Sequence, residues 1–231
     1  VATAIQGTKQ AARMMGKDLK ECRAVVVGAT GSIGAASVRL LAKEVKHITL
    51  VARHMGPLEE LAQELIEQNH CEVAVSQDIR TSLQEADIVI TVTSALDFLI
   101  EPGDLKPGAV VCDVARPRNV SREVSLQRND VLVIEGGVIN VPGNVDFHFN
   151  FGFPPHTSYA CMAETMILAL DGRYENFSLG RSILFLSWQI SITSRWRASV
   201  ILNVLFLPSI SRKSSITLSM PWQCMAADID K

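Results

Sequence analysis

Val25-Val26-Val27-Gly28-Ala29-Thr30-Gly31-Ser32-Ile33-Gly34 is the stretch on which the fold of this chain turns. A short β-branched run over residues 24–27 reads as a buried parallel strand. It breaks at glycine, and the period then changes: Ile33, Ala36, Ser37, Leu40 and Leu41 recur at helical spacing. The pattern Gly28-x-x-Gly31-x-x-Gly34 therefore stands between a strand and a helix. Gly28 suits a sharp turn out of the strand, Gly31 leaves room for a pyrophosphate to approach backbone, and Gly34 permits close helix–strand contact. Phosphates would rest on free N–H groups at the helix N-terminus, where the dipole favours negative charge. The alternative is a glycine-rich turn without a ligand. The flanking strand and helix are what the ligand-binding reading requires.

Outward from this corner the alternation continues. Residues 47–52 read as a second strand, followed by a helix marked by Leu58, Leu61, Ala62, Leu65 and Ile66, with Pro57 in its first turn. Strands are expected at 71–75, 87–93, 109–114 and 131–135, and a short helix at 81–85. Upstream, residues 6–19 are rich in helix formers. Strands alternating with helices predict an α/β fold, a doubly wound parallel sheet of the Rossmann type with flanking helices. Right-handed crossovers then gather the loops that follow the strands along one edge. Tyr159, Met162, Ala163, Met166, Ile167 and Leu170 form an apolar stripe on a later helix, expected to pack back on the sheet. The chain divides into a leading helix (1–22), a dinucleotide-binding domain (23–158), a C-terminal helix (159–180) and a tail (181–231).

Composition narrows the function classes. The 231 residues are 48% hydrophobic and 20% charged, a globular profile with enough chain for a sizeable core. A net charge of −2 speaks against an electrostatic nucleic-acid binder, which needs a clustered basic surface. Cys22, Cys71, Cys112, Cys161 and Cys224 are scattered, odd in number and never in C-x-x-C spacing, so neither a disulfide framework nor a structural zinc site is indicated. A reduced, cytoplasmic location follows, with no secretory leader visible. The chain opens at Val1 without an initiator methionine and reads as a fragment or processed piece.

The tail departs from the rest. Between Arg181 and Ala227 there is no Asp or Glu, and Trp188, Trp196 and Trp222 all lie there. Residues 1–180 carry a net charge of −6 and residues 181–231 a net charge of +4. A membrane-facing segment, a separate small domain and a frame-shifted translation are the competing readings. The apolar run 200–207 is far short of the roughly 20 residues needed for a membrane span, and the frame-shifted reading is favoured.

The second strand ends in Val51-Ala52-Arg53-His54, with no carboxylate before Glu59. A carboxylate there would grip a ribose hydroxyl, whereas Arg53 suits a charge-assisted contact to a 2′-phosphate. NADP is therefore the expected cofactor. Its expected contacts are Gly28, Thr30, Gly31, Ser32, Ile33 and Gly34 at the phosphates and Arg53 and His54 at the 2′-phosphate. Thr93 and Ser94 after the fourth strand complete the set on the nicotinamide side, where Thr91 also falls. Asp113, Arg116 and Arg118 follow the fifth strand, placed for a site or for a salt bridge within the loop.

The run VVVGATGSIG, the strand end LVARH, IEGGV at 134–138 and YACMAETMILALDGRYENFSLGR at 159–181 together resemble the long-chain acyl-[acyl-carrier-protein] reductases. More distantly, ADIVITVTS and CDVARPRNV look like the nucleotide-binding domains of glutamyl-tRNA reductase and shikimate dehydrogenase. The resemblance runs from about Thr3 to Arg181 and implies a Rossmann domain with NADPH. It also implies reduction of a fatty acyl thioester to an aldehyde through an acyl group held on an active-site cysteine. It places that cysteine a few residues beyond Gly136-Gly137-Val138. The stretch here, Ile139-Asn140-Val141-Pro142-Gly143, holds none, and Pro142 stands near the expected position. The catalytic residue is thus left unassigned. Cys161 matches a cysteine of the resembled stretch but not the nucleophile, and a helical cysteine among apolar positions reads as inert. Glu164 reads as a surface or paired carboxylate.

The sequence thus predicts an NADPH-dependent oxidoreductase acting on a small-molecule or carrier-bound acyl or carbonyl substrate, with no nucleic acid and no membrane span. A homo-oligomer is compatible with it. The runner-up enzyme, a shikimate- or quinate-type dehydrogenase, needs a Lys–Asp pair in a substrate domain that this stretch of chain does not carry. The rival from another class is a nucleotide-binding module without catalysis. No metal is expected: Asp146, His148 and His156 match no ligand spacing. Phe147, Phe149, Phe151 and Phe153 alternate at period two and are expected to form an apolar wall.

Overall fold

A computed structural model describes residues 1–68, 71–94, 100–141, 145–150, 152–170 and 172–174. Its centre is a six-stranded, wholly parallel sheet made of β1 (Arg23–Val27), β2 (His47–Val51), β3 (Glu72–Ser76), β4 (Ile88–Thr91), β5 (Val110–Asp113) and β6 (Leu132–Glu135). The order is β3-β2-β1-β4-β5-β6, so the winding reverses between β1 and β4. β4, β5 and β6 are buried at every position, and, as in strands covered on both faces, they are apolar up to their last residues, Thr91, Asp113 and Glu135.

The two faces carry separate cores. One joins Val26, Ile48, Leu50, Ile88, Ile90 and Ile134 to α1 (Ala2–Met14), α2 (Ser32–Leu41) and α3 (Met55–Gln68). The other joins Val25, Val27, Val89, Val111 and Val133 to Leu83 of α4 (Ile79–Gln84) and Val124 of α5 (Arg122–Gln127). Each fully buried Leu, Ile or Val contributes about 1.5–3 kcal/mol relative to exposure.

Local chemistry sets the element ends. The Asp78 carboxylate caps α4 by accepting from Thr81 N at 3.3 Å, and Ser121 Oγ caps α5 by accepting from Glu123 N at 3.3 Å. α1 begins earlier and stops sooner than the expected 6–19. Gly16 N and Lys17 N bond back to Arg13 O and Ala12 O, closing the helix at Met14, and the chain re-forms as a single 3-10 turn at Leu19–Glu21. At the amino edge of the sheet Asp87 takes Arg23 N, Lys17 Nζ and Lys106 Nζ, joining four segments.

Of the alternating phenylalanines expected to form an apolar wall, Phe147, Phe149 and Phe153 line one pocket, with Phe149 70% exposed. On either side of this segment β7 (Val138–Asn140) and β8 (Thr157–Tyr159) form an antiparallel pair. Along α6 (Ala160–Leu170) Ala163 is buried, Met166 and Ile167 are half-buried and Met162 and Leu170 are exposed, so the expected stripe is covered only in part among the described residues. Among the described residues no helix is long and apolar enough to cross a membrane. The tail, Pro142, Gly143, Phe151 and Cys224 lie outside the described residues.

Candidate functional site

β1 ends against a corner built almost wholly of backbone. Gly28 adopts φ +86°, a conformation open to glycine, and turns the chain out of the sheet. Gly28 N and Ala29 N both donate to Val51 O, at 2.8 and 3.1 Å, tying the corner to the end of β2. Gly31 N returns to Gly28 O at 3.0 Å, and α2 begins at Ser32 with no side chain capping its N-terminus. The start of α2 thus lacks the side-chain acceptor that Asp18, Asp78 and Ser121 supply to an early amide at other helix starts of this chain.

Gly34 is where helix meets strand. A Cβ on it would stand 2.1 Å from Gly28 O and 2.9 Å from Gly28 C, so no other residue fits without moving backbone. A Cβ on Gly28 would stand 3.1 Å from Thr93 N, which shows how tightly the chain leaving β4 runs past the corner. The structure therefore gathers Gly28, Gly31, Gly34 and Thr93 at the carboxyl ends of β1 and β4, where the winding reverses. This is the crevice in which open α/β sheets take ligands.

Arg53 and His54 follow β2, one strand away, and both are exposed. The Arg53 carbonyl accepts from Gln77 Nε2 at 2.6 Å, which fixes the backbone there, while its guanidinium makes no ion pair among the described residues. Thr91 is fully buried and donates to Asn119 Oδ1 at 2.8 Å, so its hydroxyl is turned inward. Ser94 is exposed, and the neighbouring residues 95–97 lie outside the described residues.

Beyond β5 the arrangement differs from a simple loop salt bridge. Asp113 Oδ1 accepts from Ala115 N at 3.0 Å, and its Oδ2 accepts from Asn119 N at 3.0 Å and Val120 N at 3.1 Å. Desolvation nevertheless pushes its carboxyl up to about 6. The arginines turn to Glu135 at the end of β6, in register with Asp113. Arg116 Nη2 donates to Glu135 Oε2, and Arg118 Nε lies 2.6 Å from Glu135 Oε1. The Glu135 side chain is only 3% exposed. Arg116 also lies over the rings of Phe153 and Tyr159, at 5.9 and 5.8 Å from their centroids. Glu135 was not singled out from sequence. Its signal is a carboxylate closing an apolar strand directly before Gly-Gly, with two arginines one residue apart to receive it.

The cysteines divide by burial. Cys112 lies under α1, its thiol 3.8 Å from Ala4 O and pushed up to about 12, chiefly by desolvation. Burial raises Cys22 and Cys71 as well, whereas Cys161 on α6 is exposed. No group of three metal-ligating side chains occurs among the described residues.

Comparison with known proteins places this geometry. The family model described as "Shikimate / quinate 5-dehydrogenase" matches residues 9–135, more than half of the chain. A long-chain acyl-[acyl-carrier-protein] reductase from Synechococcus elongatus is 32% identical over 179 residues, covering 74% of this chain and 50% of that protein. The aminotransferase PigE from a Serratia species is 35% identical over 161 residues, covering 68% of this chain and 18% of that protein. A glutamyl-tRNA reductase from Chlorobium chlorochromatii is 29% identical over 119 residues, covering 48% of this chain and 27% of that protein. The chain spans half or less of the length of each of these relatives.

Proposed function

Because this chain belongs to the shikimate / quinate 5-dehydrogenase family, we propose that it is the NADP-binding part of an oxidoreductase that reduces an acyl or carbonyl substrate. The observation that carries the reading is the corner itself: a helix start without a side-chain cap, reached through Gly28 and packed so closely at Gly34 that a Cβ there would stand 2.1 Å from Gly28 O. A dinucleotide fits this donor set. Its pyrophosphate would lie on the amides of Thr30, Ser32 and Ile33, and its 2′-phosphate on Arg53, with His54 beside it. Thr93 and Ser94 would border the nicotinamide half.

When bound, the cofactor supplies a hydride to the substrate carbonyl. The chain's own part is to hold and to orient. Backbone amides neutralise the phosphates, Arg53 discriminates the phosphorylated ribose, and the loops after β4, β5 and β6 present the carbonyl. The resemblance to the Synechococcus reductase favours a carrier-bound acyl group as substrate. No thiol stands at Val138–Asn140 or Val141, and Cys112 is sealed, so a cysteine-bound acyl intermediate finds no nucleophile among the described residues of this edge. That same observation favours the second reading, a nucleotide-binding module without turnover.

Fluorescence titration with NADPH and NADH tests the reading, with consumption of NADPH in the presence of acyl-CoA as the second measurement. NADPH is expected to bind more tightly, and Arg53→Gln to remove about tenfold of that preference. Stronger binding of NADH would overturn the role of Arg53. Binding without consumption of NADPH would select the module.

A further inference from the structure

Glu135, Arg116 and Arg118 form a charged cluster at the carboxyl ends of β5 and β6 that the dinucleotide does not account for. Strands lie about 4.8 Å apart, so this cluster is roughly 10–15 Å along the edge from Gly28, on the side where the substrate half of a crevice lies. Each member has a defined state. The two oxygens of Glu135 face one arginine each. Arg116 is spent: Nη2 on Glu135, Nη1 on Ala115 O at 2.7 Å, and its plane over Phe153 and Tyr159. Asp113 does not compete for the cations, because its oxygens are occupied by three backbone amides.

Arg118 is different. Its Nε is held against Glu135, its side chain is 41% exposed, and its two Nη groups have no partner among the described residues. A guanidinium fixed at one edge by a buried carboxylate presents its other edge in a set direction. That is the preorganisation bidentate recognition of an oxyanion requires.

We propose that Arg118 is a specificity-determining residue that binds an oxyanion, carboxylate or phosphate, carried by the substrate. Glu135 acts through it as a positioning residue. The proposal rests on the oxidoreductase reading only for the word substrate; the oxyanion site itself is independent of it.

The test is calorimetric titration of the chain with succinate and with inorganic phosphate, each in the absence and presence of saturating NADPH. The two probes distinguish a carboxylate from a phosphate as the preferred group. Arg118→Gln is expected to weaken the preferred probe by about tenfold, and Arg118→Lys to recover part of that loss. Neither change should alter NADPH affinity more than about twofold. Arg80→Gln, a surface arginine outside both sites, should leave the probe affinity unchanged. Equal probe binding by Arg118→Gln and the unaltered chain, or no binding of either probe to the unaltered chain, would overturn the proposal. A failure of NADPH to bind would instead overturn the cofactor reading, and the comparison of Arg118 variants without NADPH would still decide the oxyanion site.

Discussion

Replacing Gly34 by alanine puts a methyl carbon 2.1 Å from Gly28 O, 2.9 Å from Gly28 C and 3.0 Å from Ala29 Cα. A carbon and a carbonyl oxygen settle at about 3.3 Å or more, so α2 and the corner must part by about 1 Å. All three neighbours are backbone atoms, which cannot rotate away as a side-chain tip can. Overpacking of this kind costs about 1–3 kcal/mol, and alanine returns up to about 1 kcal/mol of helix propensity. The expected net loss is about 1–2 kcal/mol, a fall in Tm of about 2–8 °C for a chain of this length. Gly31→Ala is the matched control. Its Cβ would meet only Gly28 O, at 3.4 Å, and its φ of −75° suits any residue. Its stability should change by no more than about 0.5 kcal/mol, while the added methyl stands where a phosphate would approach and weakens NADPH binding about tenfold. Urea denaturation and cofactor titration of both variants separate fold from site. If Gly34→Ala unfolds with the unaltered chain, the helix is not pinned on the Gly28 carbonyl and the packing argument is wrong.

Two further expectations follow from buried groups. Asp113, held near 6 in the folded chain against about 3.9 when unfolded, keeps a proton between those values that the unfolded chain releases. Its contribution to stability is therefore present below about pH 4 and lost as pH rises through 6. Carbon-detected NMR of its carboxyl should give a midpoint near 6, and a midpoint near 4 or below would contradict the desolvation argument. Among the described cysteines, iodoacetamide at pH 8 should modify Cys161 first and Cys112 only on unfolding, because one is exposed and the other is a sealed thiol pushed up to about 12. Early loss of the Cys112 peptide in a mass-spectrometric time course would count against its burial.

Legibility followed the strength of the local signal. β1 and α2 declared themselves because the period switches across three spaced glycines, of which Gly28 has a conformational reading and Gly34 a steric one. β3, β4, β5 and β6 were readable as apolar runs, with ends shifted by a residue or two where the alternation fades. α5 was not readable. At six residues it buries only Val124, too little for a helical period to register. β7 and β8 were hidden for the same reason, at three residues each, while the conspicuous phenylalanine alternation had no partner strand to pair with. The pairing of Arg116 and Arg118 with Glu135 was out of reach because it spans neighbouring strands, and register is a tertiary fact. α6 shows the limit of amphipathic reasoning: an apolar stripe says that a surface seeks cover, and among the described residues only Ala163 of that stripe is fully buried.

The reversal of winding between β1 and β4 has a consequence for how such a protein can diversify. One wing, β1 to β3, carries in its turns the glycine corner and Arg53, the proposed grip on the nucleotide. The other, β4 to β6, carries Asp113, Glu135 and the arginines. No strand belongs to both. On the proposed reading, mutations can rewrite the tips of the second wing, and with them the molecule recognised, while the first keeps its hold on the coenzyme. A partition of that kind lets one scaffold be inherited by proteins as unlike as an acyl reductase and a tRNA-linked reductase without either renegotiating the glycine corner.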